Sequence, residues 1–146
     1  MLKSDMDLAK EIVVKENLNI CIVRNGEVVF KSASRGIYPM YKAVSECFEQ
    51  LENASVADRV VGRAAALLNV YSKIAEVYSD VISENAVDML EDNHIKVSYE
   101  VKVPNINNRD KTDLCPIEKL SSTIKDYEFN RLMEKIEEFL KSNGMI

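Results

Sequence analysis

The sequence predicts an α/β fold: a three-layer sandwich of helices on both faces of a mixed β-sheet, in a single domain over residues 1–146. Two features support this prediction. Asn25 and Gly26 stand between two apolar runs, which is the strongest short-range signal of a β-hairpin. Further along, two strand-like segments flank a helix beginning at Ser83, as in a parallel crossover. A sheet that contains both units is mixed.

The first half of the chain is divided by its apolar spacing, which recurs every three to four residues in helices and every two in strands. These periods predict a helix over Asp7–Lys15, hairpin strands over Leu18–Val23 and Val28–Phe30, and a helix over Tyr38–Leu51. A third helix is expected over Ser55–Tyr71. It is apolar nearly all round beyond its first turn, which is typical of a buried helix.

The second half begins with a predicted strand over Ala75–Ile82, followed by a short helix from Ser83 to about Glu91. Ile95–Val103 alternates apolar and polar residues over nine positions, so we expect a half-exposed strand at an edge of the sheet. A polar loop, a short helix opened by Cys115 and Pro116, and an amphipathic helix complete the chain, over Pro104–Asp113, from residue 115, and over Tyr127–Leu140.

Composition excludes several classes of function. The net charge of −5 argues against a general binder of nucleic acid or of anionic membranes, since both need a basic face. The three cysteines match no zinc or disulfide spacing, and no apolar run is long enough for a membrane span or a signal peptide. The lone histidine, His94, lies at a turn and is expected to end a helix. We therefore expect a cytoplasmic protein without a metal or cofactor.

The start of the third predicted helix combines three features that suggest a ligand site. A helix-interior glycine, Gly62, costs about 1 kcal/mol relative to alanine. Arg59 and Arg63 would be like charges one turn apart, which an anion between them would stabilise. Ser55 and Asp58 fit a capping box, or Asp58 faces a pocket as an acid, a base or an acceptor. Solvated arginines and a packing glycine are the alternative interpretation.

The segment around Cys115 offers a second candidate site. A thiol at a helix N-terminus is a candidate nucleophile, although a small buried thiol is the alternative. The preceding loop concentrates polar side chains, and long polar loops are often functional. Its candidate ligand-binding residues are Asn108, Arg109 and Asp113, with a solvated loop as the alternative.

Four sequence words resemble one small prokaryotic family, labelled domain of unknown function 1893. They are Val56-Ala57-Asp58-Arg59-Val60-Val61-Gly62-Arg63-Ala64-Ala65, Val81-Ile82-Ser83-Glu84, Asn107-Asn108-Arg109-Asp110 and Asp113-Leu114-Cys115-Pro116-Ile117-Glu118. The resemblance covers most of the chain. It implies a cytidine-deaminase-like fold and no established reaction.

The resemblance also implies that zinc is absent. In zinc deaminases, the helix after the hairpin opens with His-Ala-Glu, and a later helix carries Pro-Cys-x-x-Cys. The corresponding words in this chain would be Val56-Ala57-Asp58 and Ser83-Glu84-Asn85-Ala86, which contain no histidine or cysteine. A zinc-bound hydroxide cannot be assembled from them. Deamination by the usual mechanism is not expected.

The fold that the resemblance implies would bring the helices at Ser55 and Ser83 together over the strand ends. We expect a pocket there for a nucleotide or ribose-phosphate-like ligand, lined also by Gly62 and Asn85 and covered by the polar loop. Asp58 would contact a hydroxyl, and the two arginines a phosphate. One alternative is an enzyme acting on a nucleoside-like substrate through Asp58 or Cys115. Another is a non-enzymatic interaction protein that uses the exposed face of Ile95–Val103 for homodimerisation or for the addition of a partner.

Overall fold

The computed structural model describes residues 3–107, 115–125 and 127–146. Helices and strands alternate along most of this length, as an α/β fold requires. The elements are α1 (Asp5–Lys15), β1 (Ile20–Arg24), β2 (Glu27–Ser32), α2 (Tyr38–Leu51), β3 (Ser55–Val61), α3 (Arg63–Tyr71), β4 (Glu76–Ser83), α4 (Glu84–Asp92), β5 (Lys96–Val103), α5 (Pro116–Ser121) and α6 (Phe129–Ser142).

The five strands form one mixed sheet in the order β2-β1-β3-β4-β5. β1 pairs antiparallel with β2 across the Asn25-Gly26 turn, and it pairs antiparallel with β3 on its other side. β3, β4 and β5 run parallel to one another. The predicted hairpin, the crossover through α4 and the edge position of β5 are therefore confirmed.

Helices pack on both faces of the sheet. α1 covers one face with Met6, Ala9 and Val13, which pack against Cys21 and Val23 of β1. The main core lies on the opposite face, where the remaining helices bury large side chains such as Met40, Leu67, Leu90, Leu132 and Ile136. This is the three-layer arrangement that the amphipathic spacing predicts.

The predicted helix over Ser55–Tyr71 is wrong in its first half. Ser55–Val61 is strand β3, Gly62 is the N-cap residue, and helix α3 begins at Arg63. Three valines in this stretch favour an extended backbone, and β3 is paired on both sides, with β1 and β4. The Ser55–Asp58 capping box is therefore not formed. Arg59 and Arg63 do not lie one turn apart on a helix.

β3 and β4 both change the face that they present to the main core. Val56 and Val61 of β3 are buried in this core although they are five positions apart, and Val77 and Ile82 of β4 show the same pattern. A regular strand would point residues with odd spacing to opposite faces. The change of face occurs beside Asp58, and such irregularities often accompany functional sites.

Two smaller expectations can be compared with the structure. His94 has a φ of +62° just beyond the C-cap of α4, so it does stand at the end of that helix. In the described ranges of the chain, no helix is long and apolar enough to span a lipid bilayer.

Candidate functional site

A pocket of about 190 Å³ opens at the carboxyl end of β3, between the first turns of α2 and α3. Ile37 and Tyr38 line it from α2, Gly62 and Ala65 from α3, and Phe139 from α6. Ile117 and Glu118 of α5 form a further wall. In open α/β sheets, ligands bind beyond the carboxyl ends of the strands, so the pocket lies where this architecture places sites.

One carboxylic acid, Glu118, stands in the otherwise largely apolar wall of this pocket. Glu118 is only 7% exposed, and its Oε1 accepts a hydrogen bond of 2.8 Å from the backbone N–H of Arg63. Burial raises the pKa of Glu118, and the N–H groups of Arg63 and Ala64, with the Arg63 charge, offset only part of this rise. Glu118 therefore caps the N-terminus of α3 from a different helix.

The close approach of Glu118 depends on glycine at position 62. A Cβ atom at Gly62 would lie 2.0 Å from Glu118 Oε1 and 2.7 Å from its Cδ, far inside van der Waals contact. Gly62 has φ −105° and ψ −169°, a backbone conformation that other residues also adopt. Glycine is therefore required here for space.

Arg63 adds a second connection between α3 and α5. Its Nη1 donates a hydrogen bond to the carbonyl oxygen of Ser121, at the end of α5. Its backbone N–H holds Glu118 in the first turn of the same short helix. The backbone N–H and the side-chain Nη1 of Arg63 therefore both hold α5 against α3.

A second, smaller cavity of about 60 Å³ lies between α1 and the strands β3 and β4. Lys10, Asp58, Tyr78 and Asp80 are among its lining residues. Burial raises the pKa of Asp58 to about 8, and the Asp80 charge adds to the rise, while the backbone N–H groups of Val60 and Arg59 oppose it. Burial therefore favours the neutral form of the Asp58 carboxyl group.

Arg59 belongs to this second cavity and is already paired. Its Nη1 lies 3.0 Å from Asp80 Oδ2, and its Nε donates a 2.8 Å hydrogen bond to the carbonyl oxygen of Leu18. The Tyr78 hydroxyl donates to the other Asp80 oxygen at 3.1 Å, and burial is the main cause that raises the Tyr78 pKa to about 12. The geometry does not place Arg59 beside Arg63 as a phosphate clamp.

The other candidate residues are dispersed. Ser55 is buried at the start of β3, whereas Ser83 is the N-cap of α4, accepting a hydrogen bond from the Ala86 N–H at 3.3 Å. Asn85 is exposed. Cys115 is the N-cap residue of α5 and lines the larger pocket with Gly62, away from Asp58. Asn108, Arg109 and Asp113 lie outside the described residues.

Glu118 is the one acid among the described residues that line the pocket, and it is not among the site residues that the sequence predicts. The sequence does contain a signal for a capping role of Glu118, because Pro116 marks the first turn of a helix and Glu118 lies in that turn. An acid at this position ordinarily caps its own helix. Its role as the cap of α3 depends on how two helices distant in sequence pack together.

Comparison with known proteins identifies the family. A family model described as "Domain of unknown function (DUF1893)" matches residues 8–140. The chain belongs to this family. A crystal structure of a DUF1893 family protein from Thermotoga maritima is similar, with 26% identity and a TM-score of 0.75, covering 97% of this chain and 92% of that one.

A second solved structure resembles the DUF1893 chain more weakly. It is a diaminohydroxyphosphoribosylaminopyrimidine deaminase/5-amino-6-(5-phosphoribosylamino)uracil reductase from Thermotoga maritima, with 14% identity and a TM-score of 0.46. The alignment covers 89% of this chain and 40% of that one. No curated protein matches the chain.

The two sequence words that were expected to open helices after the hairpin and after the next strand lie in other elements of this DUF1893 protein. The helix after the hairpin is α2, which starts at Tyr38, and the helix after the next strand is α3, capped by Gly62. Val56-Ala57-Asp58 lies in β3, and Ser83 caps the following helix, α4. The described parts of the chain hold no group of three or more His, Cys, Asp or Glu side chains arranged for a metal.

Proposed function

We propose that this protein binds a small heterocyclic compound, of the nucleobase or nucleoside kind, in the pocket beside Glu118. The observation that carries the proposal is a buried carboxyl group in an otherwise largely apolar pocket. Ligand pockets typically combine apolar walls with a few polar groups that orient the ligand. A neutral or ionised carboxyl group forms hydrogen bonds with the N–H and ring-nitrogen edge of a heterocycle.

The size of the pocket favours a ring rather than a whole nucleotide inside it. Its volume of about 190 Å³ is somewhat above the ~150 Å³ of an apolar cavity known to bind benzene. Drug-sized ligands usually occupy ~300 Å³ or more. A ribose or phosphate group would therefore extend towards solvent.

Arg35 is the arginine best placed for a phosphate on such a ligand. It is exposed at the rim of the pocket, just before the α2 N-terminus, where Ile37 makes no side-chain capping hydrogen bond. Arg59 lines the other cavity, and Arg63 is bonded to α5. The phosphate contact that the sequence assigns to those two arginines is therefore proposed for Arg35.

Binding is tested by calorimetric titration of the purified protein with free nucleobases, nucleosides and nucleoside 5′-monophosphates. Ala65→Leu inserts a larger side chain into the pocket wall, so we expect at least a tenfold weaker affinity for whichever compound binds. Ala75→Leu is the matched control, because Ala75 is exposed and does not line the pocket. Absence of binding across the panel, or an Ala65→Leu variant that retains its affinity, would contradict the proposal.

A second candidate function is homodimerisation through β5. This strand forms one edge of the sheet, and it exposes Tyr99 and Val101, the latter by 51%. An exposed edge with apolar side chains is a template for strand addition. Light scattering over a range of concentrations should then show a dimer that Val101→Glu weakens and Val101→Thr retains. A monomer at all concentrations would exclude this candidate.

A further inference from the structure

We infer that α5 is a strap over the pocket, closed by the Glu118 carboxyl at the N-terminus of α3, and that opening this strap admits the ligand. The strap is defined as residues 115–121. We argue the opening of the strap from the geometry of Glu118. Its role as a gate for a ligand rests on the proposed function above.

Polar contacts of Glu118 and Ser121 attach the strap to α3. Glu118 Oε1 accepts the N–H of Arg63, and Arg63 Nη1 donates to the Ser121 carbonyl. α5 itself has only six residues, so its own backbone hydrogen bonds contribute little stability. The closed position therefore depends on these polar contacts and on the burial of Ile117, Glu118 and Ser121, with Leu120 packed against the main core.

The strap also forms one wall of the pocket. Cys115, Ile117 and Glu118 all line it, opposite Ala64 and Ala65 of α3. Movement of α5 away from α3 would remove this wall and widen the entrance. The acid that we expect to orient a ligand is thus the group that holds the wall closed.

The geometry at Gly62 shows how tightly the closed position is specified. Glu118 Oε1 lies 2.0 Å from where a Cβ atom of residue 62 would stand, so the observed position of this carboxyl group requires glycine there. A larger residue at position 62 would push the carboxyl group off the helix N-terminus. Gly62→Ala is therefore a steric means of opening the strap without changing any residue of α5.

The rate of Cys115 alkylation measures strap opening without any ligand. Cys115 is half-buried at the start of α5, and Cys47, also half-buried but in α2, serves as an internal reference in the same sample. Iodoacetamide labelling, resolved by peptide mass spectrometry, gives the ratio of the two rates. We expect Glu118→Ala and Gly62→Ala each to raise this ratio at least fivefold.

Two further variants separate the strap from a general loss of stability. Glu84→Ala removes an exposed acid from the first turn of α4 and should leave the ratio unchanged. The double variant Gly62→Ala/Glu118→Ala should react no faster than Glu118→Ala, because the clashing carboxylate is gone. An unchanged ratio in Glu118→Ala, or rates that rise equally at Cys47, would overturn the inference.

The strap and the proposed ligand can fail separately. A faster Cys115 reaction with no binding in the nucleobase and nucleoside panel would retain the strap and reject the proposed function. If a compound of the panel binds but Glu118→Ala does not change the rate of Cys115 labelling, the pocket is retained and the strap is rejected. If both hold, stopped-flow measurements should show faster ligand association in Gly62→Ala.

Discussion

The carboxyl group of Glu118 occupies the space in which the side chain of any residue other than glycine at position 62 would begin. The two residues are 56 positions apart in sequence, and the Glu118 oxygen lies only 2.0 Å from where a Cβ of residue 62 would stand. Through this contact, a short helix near the end of the chain caps a helix in its middle. The same Glu118 side chain therefore caps the α3 N-terminus and forms part of the pocket wall.

The first prediction concerns whether replacing Gly62 by alanine raises or lowers the free energy of unfolding. In a backbone conformation open to all residues, Gly→Ala usually stabilises a protein by about 0.4–1 kcal/mol. Here we expect Gly62→Ala to lower the free energy of unfolding by about 1–3 kcal/mol, because its Cβ clashes with Glu118. Urea denaturation measures this change.

The control for this prediction is the same substitution in a Glu118→Ala background. With the carboxyl group absent, Gly62→Ala should become neutral or slightly stabilising. Equal destabilisation in both backgrounds would mean that the clash with Glu118 is not its cause.

The second prediction concerns the pH dependence of stability at Asp58. Its pKa rises from 3.8 to about 8 on folding, so the folded state binds more protons than the unfolded state between these values. The Asp58 contribution is therefore fully present below about pH 4 and is lost as the pH rises towards 8, by at most about 1.4 kcal/mol per pH unit. Asp58→Asn should flatten this slope and stabilise the protein near pH 8. Equal slopes in thermal melts of the two proteins would contradict the assignment.

The third prediction separates the arginines. Arg59 and Asp80 are each about one-third exposed, so Arg59→Gln should cost at most about 1 kcal/mol of stability. It should leave ligand affinity unchanged, because Arg59 does not line the larger pocket. Arg35→Gln should instead weaken a nucleoside monophosphate severalfold and leave the parent nucleoside unaffected. Calorimetric titration of both variants measures these affinities. Weaker binding of the monophosphate in Arg59→Gln, with unchanged binding in Arg35→Gln, would assign the phosphate contact to Arg59 instead.

The fourth prediction compares two serines that the sequence assigns to helix starts. Ser83 caps α4 through the Ala86 N–H and also donates to Asn85 Oδ1 at 2.5 Å, so Ser83→Ala should cost about 1 kcal/mol. Ser55 lies in strand β3, so Ser55→Ala loses no capping interaction and should cost less. Denaturation midpoints measure both changes. A larger loss at Ser55 would argue against its position in a strand.

Local sequence signals were enough to predict several elements correctly. The Asn25-Gly26 hairpin, the α2 periodicity, the Ser83 cap and the alternation of the last strand all follow from residues close together in the chain. These four signals were sufficient for the α/β class and for the mixed sheet.

The extended conformation of Ser55–Val61 and the composition of the pocket depend on contacts between residues far apart in the sequence. The capping-box pattern of Ser55 and Asp58 and the apolar residues that follow predict a helix here, yet Ser55–Val61 is held extended by hydrogen bonds to β1 and β4. Pairing of that kind joins residues distant in sequence, so its energy is not visible in a short window. The same reason explains Glu118, whose carboxyl group meets Gly62 and Arg63 only after α5 packs against α3 and buries it.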